Sequence, residues 1–407
     1  MNILQITPNI ISQERADNAD GVRRVITQLS KYLKEKYNDS IFLGYYIEDD
    51  LEKSTTISEF NSSIHLKRQL DEDELLRFII ENKINIIHIN LPVSKHYASH
   101  VQTICRIAHN IKVKVVFCLH VIPDFESDEY GSFKEVLFNI KRRKPLWSKT
   151  KNWLIASTNP ISTFVLNQMM RLKYSKYASC DKIVLFSDSY IDKYKHIIRN
   201  NDRCKIAIIP NPLSFPVFLS EKDLIEKTKE VILVGRLDEG QKRISYALKI
   251  WRLIEANPLL NDWKLSIVGN GRDEDYCLWL AEKYYLKRVS FVGRQDPKPY
   301  YKRASILMLT SGYEGWPMVL MEAMPMGCCC ISFDSFSAIN DIIKDSYNGL
   351  IIPNHDLKTY YERMSTLMLN ENKRIEMGKH AIESSHQFSM DKIGAKWKKL
   401  YQELIAE

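Results

Sequence analysis

The stretch LMLTSGYEGWPMVLMEAMPMGCCCISFDSFSAINDIIKDSYNGLII, from Leu307 to Ile352, decides the fold of this chain. Proline suits the first turn of a helix, where its missing N–H has no partner to lose, and glycine suits the end of one. The stretch therefore predicts a strand at Ile306–Leu309, a loop at Ser311–Trp316, a helix from Pro317 to before Gly327, and a strand at Cys328–Phe333. Together with NGLIIP further on, this alternation indicates a parallel α/β sheet.

The start of this helix is a predicted anion site. The first backbone amides of a helix have no partner within it and lie at its positive end. Here they belong to Met318, Val319 and Leu320. A phosphate group is the most natural ligand for such a site.

Two carboxylates, Glu314 and Glu322, frame the predicted anion site with seven residues between them. A carboxylate repels phosphate, so each is expected to accept hydrogen bonds from hydroxyl groups, which sugars and riboses supply. The alternative is a solvated loop acid and a surface helix acid. The run Met318–Met324 leaves Glu322 almost without polar neighbours in sequence, which favours a functional role.

The motif SGYEGWPMVLMEAMPMG, with NGLIIP about twenty residues later, resembles the donor site of family-4 glycosyltransferases of the GT-B class. The resemblance implies a retaining enzyme with two Rossmann-like α/β domains facing across a cleft. It implies that Glu314 contacts the donor sugar, Glu322 the ribose, and the segment from Gly315 and Trp316 to Leu320 the diphosphate. The family more often has Phe-Gly at Trp316-Pro317, and a proline donates no backbone hydrogen bond there.

Three basic side chains complete the predicted donor site. Arg236 follows the predicted strand Val231–Val234, and Lys242 precedes the next helix, so that both are placed to clamp a diphosphate. They match the family's Gly-Arg-Leu…Lys motif, although the loop is one residue longer, which leaves Arg243 as an alternative to Lys242. Arg294 lies where the family holds the nucleotide base. Solvated loop cations are the plain alternative.

The first half of the chain is predicted to bind the acceptor, and it contains two further candidates. Gly21 opens an amphipathic helix after the strand Asn2–Ile6, and His120 follows the strand Val113–Leu119, where open α/β sheets place ligands. In the resembling family a glycine at the first position approaches the donor phosphate, and a histidine at the second lies close to the reacting sugar. His88 lies within the strand Ile84–Ile89 and is predicted to be a core residue.

The length of 407 residues fits two domains. The proline-punctuated segment 209–216 places the boundary after residue 212, with the second domain at 213–387 and a C-terminal helix at about 388–407 packing back on the first. Two acidic runs, Asp71–Asp73 and Asp273–Asp275, are interpreted as helix starts rather than metal sites. Gly269-Asn270-Gly271 lacks the third glycine of a dinucleotide fingerprint, because Glu274 stands there.

The formal net charge of +8 indicates an anionic partner. The densest basic run, KRRKPLWSKTKNW at 141–153, contains Trp147 and Trp153 and is either a solvated face or a surface for peripheral contact with anionic membrane. No nucleic-acid motif accompanies it. The absence of a long apolar run and of a signal-like N-terminus favours a cytoplasmic protein. Cys328, Cys329 and Cys330 alternate faces of a strand, which favours packing over a metal site.

The resulting expectation is transfer of a hexose or N-acetylhexosamine to a saccharide or lipid-linked saccharide acceptor in surface polysaccharide synthesis. The resemblance to the family implies UDP as the carrier. No metal and no cofactor are expected, since the nucleotide sugar is the substrate. The alternatives are a catalytically silent GT-B partner protein and a GT-B sugar-nucleotide epimerase.

Overall fold

A computed structural model describes residues 1–9, 21–47, 60–67, 69–123, 168, 171–172, 174–198, 205–215 and 217–407. The chain divides into two compact units. Unit 1 comprises Met1–Pro210 and Ile393–Glu407, and unit 2 comprises Asn211–Lys392. Among the described helices, none is long and apolar enough to cross a membrane.

Unit 1 contains a seven-stranded sheet in the order β3-β2-β1-β4-β5-β6-β7, in which every neighbouring pair is parallel. The chain places β2 and β3 on one side of β1 and then returns to β4 on the other side, so the strand order reverses between β1 and β4. The strands are β1 (Asn2–Asn9), β2 (Ser40–Ile47), β3 (Ser63–His65), β4 (Ile86–Ile89), β5 (Lys114–Cys118), β6 (Lys182–Leu185) and β7 (Ile206–Ile208). Among the described residues before Pro210, its helices are α1 (Gly21–Tyr37), α2 (Glu72–Glu81), α3 (Lys95–Asn110) and α4 (Ile191–Ile198).

Unit 2 repeats this design with six parallel strands in the order β10-β9-β8-β11-β12-β13. Its strands are β8 (Thr228–Val234), β9 (Lys264–Val268), β10 (Val289–Phe291), β11 (Ala304–Leu309), β12 (Cys329–Asp334) and β13 (Gly349–Pro353). Its helices are α5 (Glu221–Ile225), α6 (Glu239–Lys242), α7 (Ile244–Glu255), α8 (Glu274–Lys283), α9 (Lys298–Arg303), α10 (Met318–Ala323), α11 (Ile339–Ile342), α12 (Leu357–Leu369) and α13 (Glu371–Ser385). Here the strand order reverses between β8 and β11.

The strands of unit 2 form because their residues are apolar on both faces, as a parallel sheet covered by helices requires. Every residue of β11 is buried. The side chains of α7 that face the sheet, including Trp251, are fully buried in the same core. The three cysteines at 328–330 are buried as well, in agreement with packing as their role.

The C-terminal helix α14 (Met390–Ala406) joins unit 1 from Ile393 onward, against a predicted start at about residue 388. The boundary between the units lies after Pro210, against a predicted position after residue 212. Phe388 explains both differences. Its carbonyl accepts a hydrogen bond from the Leu213 amide at 2.9 Å, and its ring meets the Trp316 ring edge-on at 5.4 Å. Phe388 and Leu213 therefore belong to unit 2.

Two predicted element boundaries are wrong. The first strand extends to Asn9. The predicted helix from Pro317 to before Gly327 is helical only at Met318–Ala323, with Pro317 in an extended conformation as its N-cap.

Asp71 is the N-cap of α2, and Asp273 directly precedes α8, so both acidic runs lie at helix starts.

Candidate functional site: the end of the sheet in unit 2

The candidate site of unit 2 lies at the carboxyl ends of β8 and β11, where the strand order reverses. In open α/β sheets this reversal leaves a crevice outside the strand ends, and ligands bind there. The loop after β8 carries Arg236 and Lys242, and the loop after β11 carries Glu314. Because the two strands are neighbours, side chains 72 residues apart in sequence come into contact.

Lys242 and Glu314 form an ion pair that the sequence did not predict. The Lys242 Nζ lies 2.5 Å from Glu314 Oε1, and both side chains are largely buried. The sequence assigned the lysine to a phosphate and the glutamate to a sugar, without contact between them. An ammonium group has three donors, so this pair still leaves Lys242 the capacity to bind an anion.

Gln241 links the pair to Arg236, and sequence reasoning missed it. Its Nε2 donates to Glu314 Oε2 at 3.4 Å, while its Oε1 accepts from Arg236 Nη2 at 3.3 Å. Arg236 is otherwise exposed. The position of Gln241 directly before the predicted phosphate-binding lysine was the only indication in the sequence. A neutral amide side chain does not by itself indicate which residues it will contact.

Arg243, the predicted alternative to Lys242, lies against the loop after β11 and the segment after β13. It has a left-handed backbone (φ 48°, ψ 49°) between α6 and α7, and its buried guanidinium donates to Asn354 Oδ1 at 2.9 Å. A Cβ at Gly312 would lie 2.6 Å from that guanidinium, so a larger residue there would have to displace it. The Gly312 amide in turn donates to the Gln241 carbonyl at 2.7 Å, which fixes the loop that carries Glu314.

Glu322 is buried on α10, as its apolar sequence context suggested, and it is held by a partner that the sequence did not indicate. Its Oε2 accepts a hydrogen bond from the hydroxyl of Tyr301 at 2.7 Å. A carboxylate accepts about four hydrogen bonds, so further hydroxyl donors can be accommodated.

The predicted anion site at the start of α10 is only partly present. The Leu320 amide donates to the Pro317 carbonyl at 3.0 Å and is not available to a ligand. Met318 and Val319 occupy the first two helical positions, whose amides have no intrahelical partner. Asn211 Nδ2 approaches the Met318 sulfur at 3.5 Å.

The remaining candidates of unit 2 lie on neighbouring loops. Gly315 is half-buried, Trp316 is buried, and Arg294 is exposed after β10. Gly269, in the rejected dinucleotide motif, has φ 141°, and a Cβ there would lie 1.9 Å from the Gly235 carbonyl oxygen. This glycine therefore serves the close approach of two strand ends.

Candidate residues of unit 1

His120 follows β5 in unit 1, half-buried, and its Nε2 lies 3.0 Å from Asn90 Oδ1. Asn90 follows β4 directly, and its Nδ2 donates to Gln5 Oε1 of β1 at 2.9 Å. The reversal of strand order in this sheet lies between β1 and β4, so Asn90 connects His120 to that point. Sequence reasoning missed Asn90, although it is the first polar residue after a buried strand, as His120 is.

Gly21 is the first residue of α1, in agreement with the prediction that it opens a helix. His88 is buried, as predicted, and its Nδ1 lies 2.7 Å from the Tyr401 hydroxyl of α14. The Trp397 ring lies 4.4 Å from the His88 ring. Burial, with a smaller contribution from His120, lowers the pKa of His88 to about 3.

The basic-aromatic run at 141–153 lies outside the described residues. Within the part of the chain that is described, no group of three or more His, Cys, Asp or Glu side chains is arranged to hold a metal ion.

Relatives of the chain

The two parallel-sheet units define a GT-B fold, and solved structures support this. Anabaena HepE in complex with UDP superposes with a TM-score of 0.69 at 14% identity, over 99% of this chain and all of that one. Residues 218–384 match the family model of glycosyl transferases group 1. Unit 2 is therefore similar to this glycosyltransferase family over residues 218–384.

Two relatives extend the similarity beyond the matched region. An uncharacterized glycosyltransferase of Haemophilus influenzae is 26% identical over 329 residues, which cover 79% of this chain and 86% of the relative. The second relative, 27% identical over 62% of this chain and 69% of its own length, is from Campylobacter jejuni. Its name is GalNAc-alpha-(1->4)-GalNAc-alpha-(1->3)-diNAcBac-PP-undecaprenol alpha-1,4-N-acetyl-D-galactosaminyltransferase.

Proposed function

We propose that this protein is a retaining glycosyltransferase that moves a hexose or N-acetylhexosamine from a nucleotide sugar to a saccharide or lipid-linked saccharide in surface polysaccharide synthesis. The observation that carries the proposal is the Lys242–Glu314 ion pair at the strand-order reversal of unit 2. The pair brings together Lys242, which suits a phosphate, and Glu314, which suits sugar hydroxyls. It lies at the end of the sheet where open α/β folds bind ligands.

The cations of the site suit a diphosphate. Arg236 offers a planar set of hydrogen-bond donors, and Lys242 offers a compact positive charge. The first backbone amides of α10 add donors at the positive end of that helix. In our proposal the bond between the sugar's anomeric carbon and the phosphate oxygen breaks, and its electron pair passes to that oxygen. Positive groups stabilise the charge that grows there, and this lowers the barrier to transfer.

The carboxylates suit the neutral parts of the donor. Glu314, already balanced by Lys242, would orient the sugar hydroxyls, and Glu322, anchored by Tyr301, would accept from the ribose hydroxyls. His120 keeps its predicted role as a group that contacts the transferred sugar. The acceptor hydroxyl forms the new bond on the face that the phosphate leaves, and its proton passes to the leaving phosphate oxygen. No second carboxylate is needed as a base.

The choice of UDP follows the nucleotide in the Anabaena HepE complex, and the choice of a lipid-linked acceptor follows the name of the Campylobacter jejuni relative. That name also specifies an alpha linkage. Transfer from an alpha-linked donor with retention gives such a linkage.

The proposal is tested by slow donor hydrolysis in the absence of acceptor, followed by proton NMR with a panel of UDP-sugars. We expect release of UDP and of the unchanged sugar, with the alpha anomer formed first. The variant Glu314→Gln should lose this activity, whereas Glu362→Gln, an exposed carboxylate on α12, should retain it.

The alternatives give different products in the same assay. A beta anomer formed first would indicate inversion, and a rearranged sugar would indicate an epimerase. Absence of turnover with every nucleotide sugar would favour the silent partner.

Peripheral contact with anionic membrane is a separate part of the proposal, and it rests on the charge and the two tryptophans of the run 141–153. Binding to vesicles that contain an anionic phospholipid should weaken when Lys141, Arg142, Arg143 and Lys144 are replaced by glutamine. Unchanged vesicle binding would remove the support for this contact.

A further inference from the structure

We infer that Asn90 is a positioning residue for His120, which it holds in the tautomer that carries its proton on Nε2. The consequence for catalysis rests on the proposed function, because it assumes that His120 contacts the transferred sugar. The tautomer itself does not depend on that function.

The hydrogen bonds around Asn90 determine its orientation. The amide nitrogen Nδ2 lies 2.9 Å from Gln5 Oε1 and 3.5 Å from the His88 carbonyl oxygen. A backbone carbonyl, unlike a side-chain amide, can only accept a hydrogen bond. An amide nitrogen has donors to offer and an amide oxygen has none. The Oδ1 atom of Asn90 must therefore be the atom that faces His120.

The orientation of Asn90 in turn decides the protonation of His120. Only a donor makes a favourable contact with Asn90 Oδ1, which lies 3.0 Å from His120 Nε2. The proton of the neutral ring is therefore on Nε2, and Nδ1 is the acceptor nitrogen. In a neutral imidazole, the hydrogen-bond partners of the two ring nitrogens decide which nitrogen carries the proton.

Asn90 itself is held firmly. It is 3% exposed, its backbone amide donates to the Ile6 carbonyl at 2.8 Å, and Gln5, its side-chain partner, is fully buried on β1. The carboxamide of Asn90 therefore fixes the orientation of the His120 ring through a hydrogen bond, and it places no charge beside the ring. In this arrangement Nδ1 is the nitrogen of the neutral ring that can accept a hydrogen bond.

Two variants separate the acceptor role of Asn90 from its packing. Asn90→Leu and Asn90→Asp both lose the donor to Gln5, but only the aspartate keeps an acceptor opposite His120 Nε2. Gln5→Leu is the converse control, because it removes the buried partner of Asn90 and leaves the Asn90–His120 contact. The direct measurement is long-range proton–nitrogen NMR at pH 8 on protein labelled with ¹⁵N-histidine, with His120 assigned from a His120→Gln sample.

We expect His120 to show a proton on Nε2 in the wild type, in Gln5→Leu and in Asn90→Asp, and a mixture of tautomers in Asn90→Leu. A proton on Nδ1 in the wild type, or an unchanged spectrum in Asn90→Leu, would overturn the inference. Neither result depends on turnover, so they leave the proposed function standing.

Turnover supplies the second measurement once a donor is identified. Asn90→Leu should lower kcat about tenfold, the worth of one misplaced hydrogen bond, with little change in the KM for the donor. Adding Asn90→Leu to His120→Gln should cause no further loss, because a residue that acts only through His120 has no effect once His120 is replaced. Full additivity of the two losses would contradict the positioning role. Absence of turnover by the wild type with every nucleotide sugar would instead count against the proposed function.

Discussion

At the scale of single residues, Arg243 is the residue on which the geometry of the site in unit 2 depends. An arginine with a left-handed backbone costs about 1–2 kcal/mol relative to glycine. That cost is offset where the side chain has strong partners, and here the guanidinium is bonded to Asn354 and packs against Gly312. The strained residue therefore connects the lysine loop to the loop that carries Glu314.

Replacement of Arg243 by glycine separates backbone strain from side-chain support. The variant relieves the strain but loses the bond to Asn354, a charged hydrogen bond worth about 1.5–3 kcal/mol. We expect the free energy of unfolding to fall slightly and the affinity for the donor nucleotide to fall at least several-fold. Chemical denaturation and calorimetry measure the two effects.

Tyr285→Gly is the matched control. Tyr285 also has a left-handed backbone, with φ 56°, but its side chain is 80% exposed. The same change there should raise stability by about 1 kcal/mol and leave nucleotide affinity unchanged. A gain in stability for Arg243→Gly, with wild-type affinity, would show that the arginine has no supporting role.

At the scale of elements, the C-terminal helix α14 is docked on unit 1 through a buried histidine. His88 of β4 contacts Tyr401 and Trp397 of this helix, and its pKa is lowered to about 3 from an ordinary value of 6.5. The unfolded chain therefore binds a proton at His88 more readily than the folded chain does. Stability is lost as the pH falls from about 6.5 toward 3, by up to about 1.4 kcal/mol per pH unit.

This predicts a difference between the wild type and His88→Leu. Both proteins should lose stability between pH 6 and pH 4, because carboxylates also titrate there, but the wild type should lose more. His196→Gln, which removes an exposed histidine of α4, should follow the wild type. Parallel denaturation curves for wild type and His88→Leu across this range would contradict the buried, neutral state of His88.

The sequence predicted elements well where apolar runs were long and bounded by glycine or proline, as at β11 and β12. It missed β2 (Ser40–Ile47), in which apolar and polar residues do not alternate, and β3, which has only three residues. It also extended the helix after Pro317 too far. The bonds that end this helix, from the Met326 amide to the Ala323 carbonyl and from the Gly327 amide to the Met324 carbonyl, depend on local backbone angles. Glu322 and His88 were predicted to lie away from solvent because their neighbours in sequence are apolar.

Contacts between loops were beyond sequence reasoning. The pairing of Lys242 with Glu314 depends on β8 and β11 being neighbours, which follows from strand order and not from either loop. The same holds for Tyr301 with Glu322, and for Asn90 with His120. In each case both residue types were visible in the sequence, but only the sheet brings them together.

At the scale of the whole molecule, the two units share one design. Each is a parallel sheet with a reversal of strand order, and each has polar side chains at the strand ends beside that reversal. Unit 2 provides cations and carboxylates, which suit a nucleotide sugar, whereas unit 1 provides a histidine and amides, which suit neutral hydroxyl groups. The net charge of +8 agrees with an anionic ligand.

The central claim is that a nucleotide sugar binds at the strand-order reversal of unit 2, and calorimetric titration with UDP, GDP and ADP tests it most directly. The proteins are the wild type, Arg236→Ala, Glu322→Gln, and the controls Arg252→Ala and Glu362→Gln, which change exposed residues of α7 and α12. We predict selective binding of UDP, weakened about tenfold in the two site variants and unchanged in the controls. Equal binding of UDP by all five proteins, or binding of no nucleotide, would contradict the claim.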